Sequence, residues 1–436
     1  MIPITEINAL DAIPAPWWRD RATLLRVVAD LLAAELALMR PGLPRRRMPW
    51  SADLDLASDL GADSLELLGL ASVLEQMLSI GCIGQERVLA HPRLGAWADA
   101  VAAGLEGGAE LVNFRTSGSS GAPKTCRHAL AELWQESVAL ARLFPGTRRI
   151  LSMVPSHHIY GFLFSVLLPR ALGLEPGLDG DIELATVADL RAESPGAVAR
   201  QLRPGDLVIG HPDFWRAFAA AATHLPDDVV GVSSTAPCPA DVANAVAAAG
   251  VARLVQVYGS SETAGVGWRD SPDEDYRLFP YWEAGAEPKR AAGASPGPAV
   301  LTRRCADGSR RSYPLQDSLV WSTPGRFRPA GRIDHAVQVG GTNVYPGYVA
   351  EVLGMHPQVA QAAVRLMRAD EGQRLKAFVV THASSTGDMA SLRAGLGEWM
   401  AQRLSTPECP AAYSFGPALP RQANGKLCDW IIEAWE

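Results

Sequence analysis

One stretch restricts this chain more than any other: Thr116-Ser117-Gly118-Ser119-Ser120-Gly121-Ala122-Pro123-Lys124-Thr125, entered from the apolar run Leu111-Val112-Asn113-Phe114. A strand that opens into a Gly/Ser/Thr loop closed by a lysine builds a phosphate cradle. Small residues let backbone N–H groups approach the oxygens, while hydroxyls and an ammonium match their charge. The loop reads as the seat of a nucleoside triphosphate. It is not a Walker loop, because that pattern puts a glycine at 123, where Pro123 has no N–H to donate and a φ fixed at about −65°. A solvated Ser/Gly linker would look similar, but a linker has no use for Pro-Lys at its end.

The chain has 436 residues, 48% of them apolar, enough for a large core and, by the length prior, roughly two or three domains. A net charge of −7 argues against nucleic acid or an anionic membrane as the main partner, and the basic run Arg45-Arg46-Arg47 is too short to change that. The six cysteines are scattered without paired short spacing, so neither a zinc site nor a disulfide framework is indicated. Glu6 and Asp11 precede any basic residue, and the apolar run 161–168 is closed by Pro169-Arg170, so no secretion signal or membrane-spanning helix is expected. A reducing, cytoplasmic setting is the expectation.

Residues 20–104 read as helices, one with a stripe of Leu24, Leu25, Val28, Leu31, Leu32 and Leu36, the next with Leu65, Leu68, Val73 and Met77. Asp63 followed by Glu66 has capping-box spacing at the start of the second. The Gly-rich break 104–108 separates this bundle from the phosphate loop. From 111 to 330, strand candidates such as 208–210 and 254–257 alternate with Ala-rich helices over 214–223 and 240–249, an α/β pattern. The Ala/Gly/Pro-rich segment 285–298 reads as an exposed loop between antiparallel strands. A compact α+β tail starts at Gly331.

Thr-Ser-Gly-Ser-Ser-Gly-x-Pro-Lys resembles the phosphate loop of the adenylate-forming superfamily of acyl-CoA synthetases, aryl-acid and amino-acid adenylation domains and luciferases. Further segments extend the resemblance over residues 110–436. Tyr258-Gly259-Ser260-Ser261-Glu262-Thr263 follows an apolar strand, and Leu419-Pro420-Arg421 leads through 422–424 to Gly425-Lys426. The fold so implied has a large α/β core domain (107–330) and a small mobile α+β C-terminal domain (331–436), here behind an N-terminal region (1–106) similar to an acyl-carrier-protein helical bundle.

The resemblance assigns roles residue by residue. Thr116, Ser117, Gly118, Ser119, Ser120, Gly121 and Lys124 would cradle the phosphates of ATP. Ala236 and Pro237, within Ser233-Ser234-Thr235-Ala236-Pro237, would pack on adenine, with Tyr258 stacked on it and Gly259 alongside. Thr263 would contact the α-phosphate and Glu262 would help hold Mg²⁺, as suits a hard cation bridging phosphates. Asp317 would take the ribose hydroxyls, although Leu315-Gln316 departs from the usual Thr-Gly. Arg332 would bind ribose or phosphate and Asp334 would be the hinge. In the segment 154–161, His158 would line the acyl pocket and gate the thiol, and the missing aspartate over 156–160 favours a plain carboxylic acid over an amino acid. Lys426 would sit between carboxylate and α-phosphate, where two negative groups must meet. Asp59-Leu60-Gly61-Ala62-Asp63-Ser64-Leu65-Glu66 resembles a phosphopantetheine attachment site at Ser64, although the helix cap alone accounts for the same residues. Gln338, Tyr348 and Ala350 depart from the lysine and glutamates common in ligases.

These features together resemble the 3-hydroxybenzoate-activating ligases of xanthomonadin and aryl-polyene pigment pathways. That resemblance implies ATP- and Mg²⁺-dependent activation of an aromatic acid and transfer to an acyl carrier protein. Two other readings stand beside it: an aryl- or fatty acyl-CoA ligase, and a non-catalytic nucleotide-binding scaffold.

Overall fold

The computed structural model describes residues 16–40, 43–44, 46–81, 83–84, 89–108, 110–116, 124–174, 184–222, 224–284, 299–333, 336–368, 370–382, 389–421 and 427–432. They fall into two compact units, one drawn from 1–39, 45–116 and 125–331, the other from 40–44, 117–124 and 332–436.

The first unit opens with helices α1 (Arg21–Met39), α2 (Ser64–Leu78) and α3 (Leu94–Glu106). The Asp63 carboxylate accepts from the Glu66 amide at 2.9 Å and the Glu66 carboxylate from the Asp63 amide at 3.0 Å, so the capping box is complete. That cap sets the phase of α2, and it corrects one part of the expected stripe. Val73 and Met77 are buried, but Leu65 is 79% exposed, because the inward face runs through Leu67, Leu70, Ala71, Leu74 and Leu78.

Strands β1 (Leu111–Thr116) and β2 (Lys124–Ala129) form a two-stranded ribbon, and α4 (Leu130–Ala141) follows at once. A nine-stranded sheet then forms from β3 (Arg149–Ser152), β4 (Thr186–Asp189), β5 (Leu207–Gly210), β6 (Val230–Ser233), β7 (Arg253–Ser260), β8 (Ala264–Arg269) and β9 (Tyr276–Leu278), completed by later strands. A side sheet holds β10 (Trp282–Ala284), β11 (Val300–Arg304) and β12 (Arg310–Pro314), while β13 (Asp317–Thr323) and β14 (Arg326–Arg332) return to the large sheet in the order β13-β14-β9-β8-β7-β6-β5-β3-β4. Strands β4, β3, β5, β6 and β7 pair in parallel; β7, β8, β9 and β14 pair antiparallel. Leu207-Val208-Ile209-Gly210 is buried along its whole length, as a central parallel strand covered on both faces must be.

The crossovers are helical. A short α5 (Ile159–Phe162), a π-turn (Leu163–Leu167) and α6 (Leu168–Leu172) follow β3; α7 (Pro195–Gln201), α8 (Pro212–Ala221) and α9 (Ala240–Ala248) follow the next strands. The expected strands at 208–210 and 254–257 and helices at 214–223 and 240–249 are therefore present, shifted by a few residues. The segment 285–298 lies outside the described residues, between β10 and β11, which pair antiparallel.

Residues 17–106 share one hydrophobic core with the sheet. Trp17, 1% exposed, meets Phe162 edge-on at 5.4 Å, and Phe162 meets Phe114 at 5.6 Å. Burying a large aromatic of this kind is worth roughly 2–3 kcal/mol. The helical front end thus packs directly onto the helix that follows β3.

The second unit carries a hairpin, β15 (Val337–Val339) with β16 (Thr342–Val344), then α10 (Pro346–Gly354). A three-stranded sheet of β17 (Val359–Leu366), β18 (Leu375–Thr381) and β19 (Ala412–Phe415) packs with α11 (Met389–Ala401). Val344, Val349, Leu353, Leu375, Val379 and Leu396 fill its core. This is the α+β tail the sequence suggested.

Candidate active site

Strands β3, β5, β6 and β7 run parallel; the first three end nearly level, with Ser152 opposite Ile209 and Gly210 opposite Ser233, while β7 continues past Gln256, the partner of Ser233, to Ser260. Their following loops emerge at one edge, the carboxyl edge where open α/β sheets bind ligands. The loops after β3, β6 and β7 hold His158, Ala236 with Pro237, and Glu262 with Thr263.

The loop after β7 is built tightly. The Ser260 hydroxyl accepts from the amides of Glu262 and Thr263, both at 3.2 Å, and lies 3.0 Å from the Thr263 hydroxyl. Ala264 closes the turn at φ +59°, a left-handed conformation that costs a non-glycine residue about 1 kcal/mol or more. Gly259 is required beside it, since a Cβ there would lie 2.2 Å from the Ala264 carbonyl oxygen. Glu262 is half-exposed at the tip, whereas Thr263 is 2% exposed and its hydroxyl donates to the Ala264 carbonyl at 3.0 Å. In this conformation Thr263 serves its own turn, because a buried hydroxyl takes the nearest acceptor.

Tyr258, at the end of β7, packs against Tyr276 and Phe327 at 5.6 and 5.4 Å, and its phenol donates to the Asp317 carboxylate at 2.6 Å. The adenine and ribose candidates are thus joined directly, although 59 residues separate them. Loop 234–237 is tied in too: the Ser234 hydroxyl donates to the Val257 carbonyl at 2.8 Å, Thr235 turns at φ +75°, Ala236 is half-buried and Pro237 is exposed.

His158 sits just before α5, open to solvent on one side, with the half-buried His157 ring 4.2 Å away. Desolvation by the surrounding protein, with the neighbouring His158 ring, lowers the His157 pKa. The segment is gripped from α1. Asp30, 2% exposed, accepts from the Ser156 amide at 2.7 Å and its hydroxyl at 2.6 Å, and Arg191 bridges Asp30 to Asp189.

Behind the 258–265 loop lies a buried polar cluster that local sequence patterns do not reveal. His128 on β2, 3% exposed, has Nε2 at 2.7 Å from the Ser261 carbonyl. A carbonyl only accepts, so Nε2 carries the proton. Glu136 on α4 is fully buried and accepts from the Gly265 amide at 2.8 Å; desolvation outweighs the buried Arg303 and pushes its pKa up to about 7. Arg303 lies 4.0 Å from Glu136 and stacks over Tyr281. The one signal in the sequence was an interrupted apolar pattern in α4, whose Glu132, Gln135 and Glu136 fall on buried positions.

Other predicted residues are placed singly. Thr116 ends β1, and Lys124 opens β2 with its side chain exposed. Arg332 ends β14 half-buried, and Ser64 is exposed at the first position of α2. Residues 117–123, Asp334 and Lys426 lie outside the described residues; the segment holding Lys426 is closed at its ends by a bridge between Arg421 and Leu427.

No cluster of three metal-ligating side chains occurs among the described residues. A single half-exposed carboxylate at Glu262 does fit Mg²⁺, which binds through one or two carboxylates and completes its shell with substrate phosphates. Among the described residues no helix is long and apolar enough to cross a membrane.

The chain matches the family model of AMP-binding enzymes over residues 112–281 and that of the AMP-binding enzyme C-terminal domain over 348–426. It is 38% identical to a 4-coumarate–CoA ligase of Halorhodospira halophila, over 93% of this chain and 98% of that one. A 4-coumarate–CoA ligase of Cereibacter sphaeroides is 36% identical over 94% and 97%. Among solved structures, the amide bond synthetase McbA of Marinactinospora thermotolerans aligns with a TM-score of 0.59 at 19% identity, over 92% of each chain. An o-succinylbenzoate CoA synthetase of Bacillus subtilis aligns with a TM-score of 0.56 at 18% identity, over 72% of this chain and 67% of that one.

Proposed function

The chain belongs to the AMP-binding, adenylate-forming enzymes, and from that premise we propose that it activates an aromatic carboxylic acid of the hydroxycinnamate type and passes the acyl group to the thiol of coenzyme A. At the coarser level it is an AMP-forming acid–thiol ligase that uses ATP and Mg²⁺. The observation that carries the finer reading is end-to-end similarity to two 4-coumarate–CoA ligases. It favours coenzyme A and a cinnamate over the carrier protein and 3-hydroxybenzoate expected from the sequence.

In the first half-reaction a carboxylate oxygen attacks the α-phosphorus of ATP in line. An acyl O–P bond forms, and the bond to the pyrophosphate oxygen breaks. Tyr258 and Asp317, held to each other, fix adenine and ribose. Glu262 presents its carboxylate toward the phosphates, where bound Mg²⁺ would neutralise charge and orient oxygens. Residues 116–124 cradle the β- and γ-phosphates, and the Lys426 ammonium offsets the charge of the approaching carboxylate. In the second half-reaction the thiol sulfur attacks the acyl carbon, the C–S bond forms, AMP leaves with the shared oxygen, and the thiol proton passes to solvent. The imidazole of His158 lines the acyl pocket on this reading, and Asp334 is the hinge.

The test is acyl-thioester formation from 4-coumarate, cinnamate and 3-hydroxybenzoate, with free coenzyme A in one arm and a holo acyl carrier protein in the other. Coumaroyl-CoA formed with free coenzyme A is the expected product. Transfer of 3-hydroxybenzoate to the carrier protein alone would replace this reading with the earlier one.

A further inference from the structure

The loop holding Glu262 and Thr263 is strained at one point and gripped at both ends. Ala264 is held at φ +59°, and the β7–β8 pairing slips register between Tyr258 and Gly259. A three-residue reversal of this kind has no reason to hold one shape by itself, and strain at a non-glycine position persists only where the surroundings over-determine it.

The surroundings do so with buried side chains from β2, α4 and the start of β10. On the near side of Glu262, His128 donates to the Ser261 carbonyl. On the far side of Thr263, the Gly265 amide donates to Glu136, and the Gly265 carbonyl accepts from the Tyr281 phenol at 3.0 Å and the Trp282 indole at 2.8 Å. The fit at Gly265 leaves no room for a side chain, since a Cβ would meet the Glu136 carboxylate at 2.4 Å.

His128 belongs to β2, the strand that starts at Lys124, where the phosphate loop ends. One hydrogen bond therefore joins the strand leaving the phosphate cradle to the peptide just before Glu262. Phe114 on the partner strand β1 packs on the imidazole at 5.9 Å and fixes its plane.

We propose that His128 is a positioning residue, which, with Glu136 opposite, clamps the 261–265 turn so that the Glu262 carboxylate stays aimed at the metal-bound phosphates. The proposal rests on the Mg²⁺ role given to Glu262 above. His128 touches neither substrate nor metal; it acts through the Ser261 peptide, as the outer shell of a metal site acts through its ligands.

The experiment compares His128→Ala, His128→Gln and Glu262→Gln in the full chain by acid-dependent ATP–pyrophosphate exchange, titrating Mg²⁺ at saturating ATP and acid, and by calorimetric titration of Mg²⁺ into the ATP-saturated proteins without acid, where the same shifts are read as binding. His128→Ala, which removes the donor, raises the Mg²⁺ concentration for half-maximal exchange by roughly 10- to 100-fold and leaves KM for the acid unchanged. His128→Gln, whose amide nitrogen can reach the same carbonyl, restores most of the Mg²⁺ response. Glu262→Gln shifts the same titration. A shift in Glu262→Gln with none in a folded His128→Ala overturns the clamp and leaves the Glu262 reading intact. No shift in Glu262→Gln overturns the Mg²⁺ reading, and the clamp with it. Equal loss in the Ala and Gln variants at His128 means a packing role and also overturns the proposal.

Discussion

Each unit of this enzyme has a fully buried cation beside carboxylates, Arg303 in the first and Lys376 in the second, and the two clusters are built in opposite ways. In the first, Arg303 stands 4.0 Å from Glu136, which spends its Oε1 on the Gly265 amide and is driven toward its neutral form, with a pKa of about 7. In the second, the fully buried Lys376 bonds Glu371 at 2.7 Å and Asp429 at 2.9 Å, and donates to the Trp430 carbonyl at 2.7 Å. The Glu371 pKa is lowered first by its bond to Lys376; at Asp429 burial works the other way, but Lys376 and Arg368 prevail and lower it. The first cluster is therefore a backbone bracket that happens to contain charges. The second is a true ion pair pinning the chain just beyond residue 426 onto β18.

Removing one partner distinguishes them. Lys376→Met should destabilise the protein by about 2 kcal/mol or more, because it removes the buried ammonium shared by Glu371 and Asp429 and leaves both carboxylates to arginines nearer the surface. Chemical denaturation measures it, and a loss below about 1 kcal/mol would mean the pair is not the pin described here.

The pH dependence should carry opposite signs. The Glu136 pKa is raised from 4.5 to about 7, so its stabilising contribution is full below pH 4.5 and is lost as pH rises through 7. Glu371 and Asp429 have pKa values lowered from 4.5 and 3.8, so their contributions are present above those values and are lost as pH falls below them. Glu136→Gln should change stability at pH 7 by less than about 1 kcal/mol, since the amide oxygen keeps the Gly265 bond, and should abolish the loss between pH 4.5 and 7. A loss comparable to that of Lys376→Met would erase the distinction between the two clusters.

Local pattern made much of this molecule readable. The strands at 208–210 and 254–257, the helices at 214–223 and 240–249 and the capped start of α2 depend on neighbours within a few residues. What was hidden depends on contacts far apart in the chain. His128 meets Ser261 across 133 residues, Glu136 meets Gly265 across 129, and Asp30 meets Ser156 across 126. A buried polar residue such as Glu136 looks like a misplaced surface residue until its partner is known. Leu65 was misassigned for the converse reason: leucine fits an apolar stripe, but the cap at Asp63 turned it outward. The link from Asp30 to the His157–His158 segment likewise shows the front helices supporting the site.

On the proposed function the chain makes an acyl-adenylate, and Lys426 eases the approach of two anions. Acid-dependent ATP–pyrophosphate exchange with 4-coumarate, in the native enzyme and in Lys426→Ala, measures it most directly. The native enzyme should show exchange and the variant a drop of about a hundredfold or more, with ATP binding nearly intact. Native-level exchange in Lys426→Ala would remove that lysine from the mechanism, and no exchange by the native enzyme with any acid of the panel would contradict the proposed function itself.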